Sequence, residues 1–314
     1  MRRLVIVCNP RSSRYANVRR EVLDFLMNPQ VLREKFGFSG IKIFKYEVLP
    51  TNVDDNAANL AGLLQDEDVV LSVGGDATAV IGLNAIMLSE KDVTLAVLPY
   101  GNFNDLARTL KTKKLEDIFV DGKLNNVRKL YPLDILVDGE HFRFASCYVT
   151  IGMMAEAVEI FDSKKVRLNL RKKKNRAVRS YTQLAKWYFS HRHKKVFLPD
   201  FELNGEILYK RSDYIAVNGH SLARVMKGKN NAFIPKVFVR KIAKLTSFLR
   251  LTGFMSKSIL HRVPGKEISG GDVLKFVVPA NVEIQAEGEY KKFEQINQIE
   301  IKKDKRFVRV VCVK

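Results

Sequence analysis

The sequence predicts an α/β N-terminal domain with a parallel sheet, followed by a mainly antiparallel β-sandwich C-terminal domain. Three observations lead to that fold class. Over the first 130 residues, short apolar runs alternate with stretches of helical periodicity. From Pro132 onward, turn pairs such as Asp138-Gly139 and Asn204-Gly205 separate short alternating runs. The length, 314 residues, is enough for two hydrophobic cores, and neither an internal repeat nor a long linker interrupts it. The expected domains are residues 1–131 and 132–302, with a last strand at about 303–314 free to return to the first.

Taken in order, Arg3–Cys8 reads as a buried strand and Asn17–Phe36 as a helix with an apolar face that includes Val18, Val22, Phe25 and Leu26. Ile41–Val48 alternates like a strand. Ala57–Leu64 looks helical, with Asp54 or Asp55 available as N-cap. Val69–Val73 and Thr94–Leu98 are apolar strands around a helix at Thr78–Leu88. Strands alternating with helices of this length imply a parallel sheet covered on both faces. In the second half, Leu133–Val137 and His141–Val149 form one hairpin, Val196–Leu203 and Glu206–Lys210 another. Asp213–Val217, Val273–Val278, Val282–Ala286, Ile296–Ile301 and Phe307–Val313 add strands, and Arg176–Phe189 and Lys236–Leu251 read as helices.

The composition, 46% apolar and 28% charged, is that of an ordinary soluble globular protein. No uninterrupted apolar run reaches the length of a membrane span, and the N-terminus MRRLVIVCNP is too short and strand-like for a signal peptide. Cys8, Cys147 and Cys312 lie far apart without metal spacing, which fits buried thiols in a reducing cytoplasm. The charge is less ordinary: 54 Lys and Arg against 34 Asp and Glu leave +20, pointing to a polyanionic partner. Residues 164–195 hold 13 Lys or Arg and no acidic residue. The plainer reading of that run is a solvated basic face. No nucleic-acid-binding motif accompanies the charge, so a specific nucleic acid is not expected.

In an open parallel sheet, ligands bind beyond the carboxyl ends of the strands. Gly74-Gly75-Asp76-Ala77-Thr78 occupies such an end, directly before a helix. Glycines let backbone N–H groups approach phosphate, and the helix start adds positive potential. Asp76 would repel phosphate unless a divalent cation bridged the two. The next strand ends alike, in Pro99-Tyr100-Gly101-Asn102-Phe103-Asn104-Asp105-Leu106-Ala107-Arg108, where Asn102 can cap a helix and Asp105 suits its first turn. Asn9-Pro10-Arg11-Ser12-Ser13 follows the first strand.

With these pieces in this order, the chain resembles the diacylglycerol kinase catalytic-domain family, especially bacterial lipid kinases related to sphingosine kinases. The family's Gly-Gly-Asp-Gly-Thr corresponds to residues 74–78 and its Asn-Gly-Leu to Asn84-Ala85-Ile86. Its Pro-x-Gly-Thr-x-Asn-Asp-Phe-Ala-Arg corresponds to residues 99–108 and its Asn-Pro-x-Ser-Gly to residues 9–13. A threonine after the second strand matches Thr51, and a late Asp-Gly-Glu matches Glu287-Gly288-Glu289. The resemblance implies a nucleotide-binding domain and a β-sandwich with the active site between them. It also implies ATP with Mg²⁺, and phosphorylation of a lipid hydroxyl such as that of diacylglycerol. On this reading Asn9, Ser12, Thr51, Gly74, Gly75, Asp76, Thr78, Gly101, Asn102 and Asn104 hold the nucleotide. Asp76 holds the metal directly or through water. Glu289 is the base and Glu287 its acidic companion.

The chain departs from the family at several places. Ala77 replaces a glycine, which would cost on the order of 1 kcal/mol if the loop needed positive φ there. Asn102 replaces threonine, Ser13 a glycine, and Ile81 stands where glutamate is usual. The loop corresponding to the family's acidic metal loop, residues 230–236, contains no acid. These changes motivate a rival expectation, a catalytically weakened relative that senses nucleotide or anionic lipid. The kinase reading carries with it a cytoplasmic protein, peripherally bound to anionic membrane through residues 164–195. Arg171, Lys172, Lys173 and Lys174 are its densest cluster, with Trp187, Tyr188 and Phe189 following. A homodimer is compatible with the sequence.

Overall fold

The computed structural model of the chain describes residues 3–12, 14–38, 40–101, 104–152, 155, 182, 186, 199–203, 205–209, 213–219, 221–222, 226–227, 233, 236–242, 266–269, 273–278 and 281–314. The basic segment 164–195 and the helix expected over 176–189 lie outside these residues, apart from Thr182 and Lys186.

The chain opens with β1 (Arg3–Cys8). A helical run follows, made of α1 (Tyr15–Val18), a π turn over Arg19–Leu23 and α2 (Asp24–Leu26). It stops before α3 (Pro29–Phe36). The single helix expected over Asn17–Phe36 is therefore two. Pro29 has no N–H to continue the ladder, but it suits a first helical turn, and Asn28 caps it by accepting from Gln30 N and Val31 N at 3.0 and 3.4 Å. Gly37, in the left-handed region at φ +70°, ends α3. After β2 (Lys42–Glu47), α4 (Val53–Ala61) starts earlier than expected. Its N-cap is Asn52, which accepts from Asp55 N at 2.7 Å, so Asp54 and Asp55 stand in the first turn instead. Then come β3 (Val69–Gly74), α5 (Asp76–Ser89), β4 (Thr94–Pro99) and α6 (Asp105–Leu110). A short hairpin of β5 (Phe119–Val120) and β6 (Lys123–Leu124) leads to β7 (Val127–Leu130).

The second half begins with β8 (Leu133–Val137), β9 (Glu140–Ala145) and β10 (Tyr148–Ile151). Asp138 and Gly139, both at positive φ, make the expected turn. The strand expected to run from His141 to Val149 breaks at Ser146-Cys147, and β10 crosses into a different sheet. Next are β11 (Asp200–Leu203), β12 (Glu206–Tyr209), β13 (Asp213–Val217), β14 (Ser221–Leu222), β15 (Met226–Lys227), β16 (Lys236–Ile242) and β17 (Lys266–Ser269). Lys236–Leu251 was expected to be helical, but Lys236–Ile242 pairs with β13 and β17 as a strand. Pairing with a partner strand on each side outweighs the local helical reading there. The chain closes with β18 (Leu274–Val277), β19 (Val282–Ala286), β20 (Glu289–Phe293), β21 (Gln298–Lys303) and β22 (Val308–Val311).

Among the described residues, three six-stranded sheets result, ordered β2-β1-β3-β4-β22-β7, β17-β16-β13-β10-β19-β20 and β12-β11-β18-β21-β8-β9. The first is parallel from β2 to β22, with β7 antiparallel at its edge, and the other two are antiparallel. The two antiparallel sheets face each other across Ile135, Phe201, Phe276 and Ile299 from one and Val149, Tyr214, Ala216 and Ile284 from the other, forming a sandwich. The sheet containing β10 turns its other face, with Tyr148, Ile215 and Val217, toward α5 and α6. Helix α5 is thus covered by the parallel sheet and by β9 and β10, which explains why Thr78 through Met87 are all buried. Among the described residues, no helix is long and apolar enough to cross a membrane.

Candidate active site

The register of the parallel sheet sets Cys8 opposite Glu47 and Val73, and Gly74 opposite Pro99. All four strands therefore end at one level, and the segments after β1, β2, β3 and β4 open at a single edge. Each is shaped by its own polar residues. Asn9 folds the first segment, its Oδ1 accepting from Arg11 N and its carbonyl from Ser12 N, each at 3.0 Å. Thr51 accepts from the buried Asn56, whose carboxamide also binds the main chain of Leu49 and Asn52.

The two glycine segments pack backbone on backbone. A Cβ on Gly75 would lie 3.2 Å from Gly101 Cα, one on Gly101 would collide with Gly75 Cα, and one on Gly74 would press to 2.8 Å from Thr78 Cβ. Glycine is needed at these positions for close approach, not for positive φ. Asn104 is left-handed at φ +55° and precedes α6 as its N-cap residue. That corrects the expected cap, Asn102, which lies outside the described residues. Asn104 spends its carboxamide on Gly101, accepting from N at 2.8 Å and donating to O at 3.0 Å. Asp76 ties the two segments together by accepting from Asn104 N at 3.0 Å and Asp105 N at 2.7 Å. Burial pushes the Asp76 carboxyl upward, against these N–H bonds and the charge of Arg108. Ala77 lies in the first turn of α5 and is absent from the positive-φ positions, so the cost expected from its methyl does not arise. Ile81 is simply buried core.

The second acidic pair comes from the sandwich. Glu287 and Gly288, at φ +51° and +93°, form the tight turn between β19 and β20. Glu287 is not the solvated turn residue its position invites. It is 4% exposed, and its Oε1 accepts from Ser146 Oγ at 2.6 Å and from Cys147 N, at the break between β9 and β10. Desolvation raises its carboxyl to about 7, the two bonds oppose the rise, and the charges of Asp76 and Asp105 add to it. Glu287, Asp76 and Asp105 are therefore electrostatic neighbours contributed by both halves of the chain. Glu289 pairs with Ala286, whose side chain belongs to the sandwich core. The register thus gives Glu287 and Glu289 different surroundings.

Two ties hold the halves around this cluster. Asn84 of α5 donates to Phe144 O at 2.9 Å and accepts from Phe144 N at 2.8 Å, both groups buried. Arg143 makes two 2.8 Å bonds to Asp54 in the first turn of α4. Sequence reasoning missed Asp105, Ser146, Cys147 and Arg143 as members of the site. Asp105 stands within the motif at residues 99–108, which could have marked it, whereas Ser146, Cys147 and Arg143 carry no local signal because each acts only by meeting a distant segment.

A triphosphate fits the glycine segments. No side chain caps α5, whose N-cap is Gly75, and the first-turn amides of a helix have no intrahelical acceptor. For Mg²⁺, no three acidic, His or Cys side chains among the described residues are placed to hold a metal ion together. A cation held by one carboxylate plus phosphate oxygens and water remains compatible with Asp76.

Residues 3–130 match the family model described as diacylglycerol kinase catalytic domain. Among curated proteins, the diacylglycerol kinase of Bacillus subtilis (strain 168) is 32% identical over 145 residues, covering 45% of this chain and 44% of that relative. The chain thus matches less than half the length of that relative. Among solved structures, a diacylglycerol kinase from Bacillus anthracis str. Sterne superposes with a TM-score of 0.65 at 16% identity, covering 99% of this chain and 97% of that one. That likeness extends the common fold over the sandwich as well. Over residues 3–130, then, the chain is similar to the diacylglycerol kinase catalytic-domain family.

Proposed function

We propose that the protein is an ATP-dependent lipid kinase that transfers the γ-phosphoryl group to a lipid hydroxyl, such as that of diacylglycerol. The observation that carries this reading is the buried Glu287 carboxylate, an electrostatic neighbour of Asp76, which itself joins the two glycine segments. A base near pH 7 is well matched to taking a hydroxyl proton at neutral pH. Glu287 Oε1 is occupied by Ser146 and Cys147, which leaves Oε2 for that proton. The acceptor oxygen forms a bond to the γ-phosphorus and the bond to the ADP oxygen breaks. The proton passes to Glu287, giving ADP and a phosphate monoester. The base role expected for Glu289 thus passes to Glu287 in this reading.

The first-turn amides of α5 receive phosphate oxygens, with Gly74, Gly75, Thr78 and Gly101 keeping the approach open. Asn9, Ser12 and Thr51, on the neighbouring strand ends, face the rest of the nucleotide, and Asn104 shapes the loop. Mg²⁺, held through Asp76, would offset phosphate charge. The lipid hydroxyl is presented at an anionic membrane surface on which the basic segment 164–195 docks, worth about 1 kcal/mol per basic residue near the surface. The negative φ at Ala77 removes one motive for the rival sensor reading.

Labelled ATP with a panel of neutral lipids in vesicles tests the proposal. Transfer to at least one lipid is expected. Glu287→Gln should lower turnover by roughly two to four orders of magnitude, and Glu289→Gln by far less. ATP binding without transfer to any lipid would favour the sensor.

A further inference from the structure

A row of buried polar side chains crosses the face of the sandwich that meets α5 and α6. Tyr148 and Thr150 stand on β10, and Gln285 stands on β19 directly opposite Thr150. Their exposures are 4%, 2% and 2%. The intervening residues Val149, Ile151, Ile284 and Ala286 point the other way, into the sandwich core. Burying three polar side chains here is unfavourable unless their hydrogen-bonding capacity is used.

The bonds within the row set a direction. Thr150 Oγ1 donates to Gln285 Oε1 at 2.6 Å, which turns the Gln285 amide nitrogen toward Tyr148. Gln285 Nε2 can only donate, and it reaches the Tyr148 hydroxyl at 3.2 Å. The phenol oxygen is thereby the acceptor, and its proton must point elsewhere. Among the described residues no acceptor receives it. What lies nearby is the acidic cluster: Asp105, Asp76 and Glu287 all act on the Tyr148 hydroxyl electrostatically. Burial and these charges raise the phenol well above its usual value, so it stays a neutral donor.

We infer that Tyr148 is a further catalytic residue, its hydroxyl donating a hydrogen bond to a non-bridging oxygen of the transferred phosphoryl group, with Gln285 and Thr150 as positioning residues. The inference rests on the kinase reading and deepens it. Three carboxylates crowd the place where a phosphoryl group passes, and each repels it. A neutral donor set among them offsets that repulsion, most strongly where charge develops on the equatorial oxygens.

Tyr148→Phe removes one oxygen and little else. It should lower kcat by about 10²-fold while leaving the KM for ATP and the Tm unchanged. Thr150→Val, which releases Gln285 from its orientation, should give a smaller loss that Thr150→Ser restores. A merely structural role would not alter the affinity for ADP with aluminium fluoride, a mimic of the transferred phosphoryl group. Here Tyr148→Phe should weaken that affinity in parallel with kcat and leave ADP alone unaffected. A wild-type kcat in Tyr148→Phe overturns the inference, as does mimic affinity equal to that of wild type. A wild-type protein that phosphorylates no lipid defeats the kinase reading instead, and the mimic then decides on Tyr148 alone: weaker binding in the variant supports the contact. Equal binding, or none by either protein, rejects it.

Discussion

Replacing Glu287 by Gln keeps the length of the side chain and its accepting oxygen but removes the charge and the proton site. The carbonyl of Gln can still accept from Ser146 Oγ and Cys147 N, so the bonds that anchor the turn survive. What changes is the cost of burying a charge. In the folded chain the carboxyl titrates near 7 rather than at 4.5. Below pH 4.5 it is protonated in both folded and unfolded chains and has no effect on stability. As pH rises from 4.5, the unfolded chain releases the proton and the folded one keeps it, so stability falls by about 1.4 kcal/mol per pH unit. The loss levels off near pH 7 at about 3 kcal/mol. Glu287→Gln does not titrate. Urea unfolding followed from pH 4 to pH 8 should therefore show equal stability at the acid end and a variant more stable by about 3 kcal/mol at the alkaline end. Turnover should move oppositely, rising through about pH 7 in wild type and staying low throughout in the variant. A stability difference that does not change with pH would show that the carboxyl is not held protonated by burial. Wild-type turnover in the variant would remove Glu287 from the chemistry.

Gly101→Ala puts a methyl onto the Gly75 backbone and against Asn104 Oδ1 at 2.7 Å, so the two segments must separate. Loss of ATP binding with a lowered Tm is expected, and normal binding by calorimetry would contradict the packing argument. Ala77→Gly should not speed turnover, because Ala77 is already in helical geometry. It should instead destabilise the helix start by about 0.5–1 kcal/mol, measured by urea unfolding. Vesicle co-sedimentation should fall with added salt and when Arg171, Lys172, Lys173 and Lys174 are changed to Gln together. Binding unaltered by both would remove segment 164–195 from the docking proposal.

The α/β order of the first half was legible because strand and helix periods differ and because each motif follows a strand directly. Gly74, Gly75 and Gly101 announce a close approach of backbone, though not that they approach each other. Boundaries were less legible. Asn28-Pro29 restarts a helix that its apolar spacing alone would continue, and Lys236–Ile242 is a strand because β13 and β17 lie on either side of it. The acidic companions in Glu287-Gly288-Glu289 could be named from the chain, but their surroundings could not. Burial of a turn residue depends on what packs over it, and here that is Ser146-Cys147, some 140 positions away. Residue type and spacing along the chain determined which groups are available and that several strands end in polar or glycine-bearing segments at one edge of the sheet. Only the tertiary structure decided which carboxylate is desolvated and which hydroxyl is turned toward it. Desolvation and hydrogen-bond direction are properties of distant segments in contact, and no local stretch of sequence carries them.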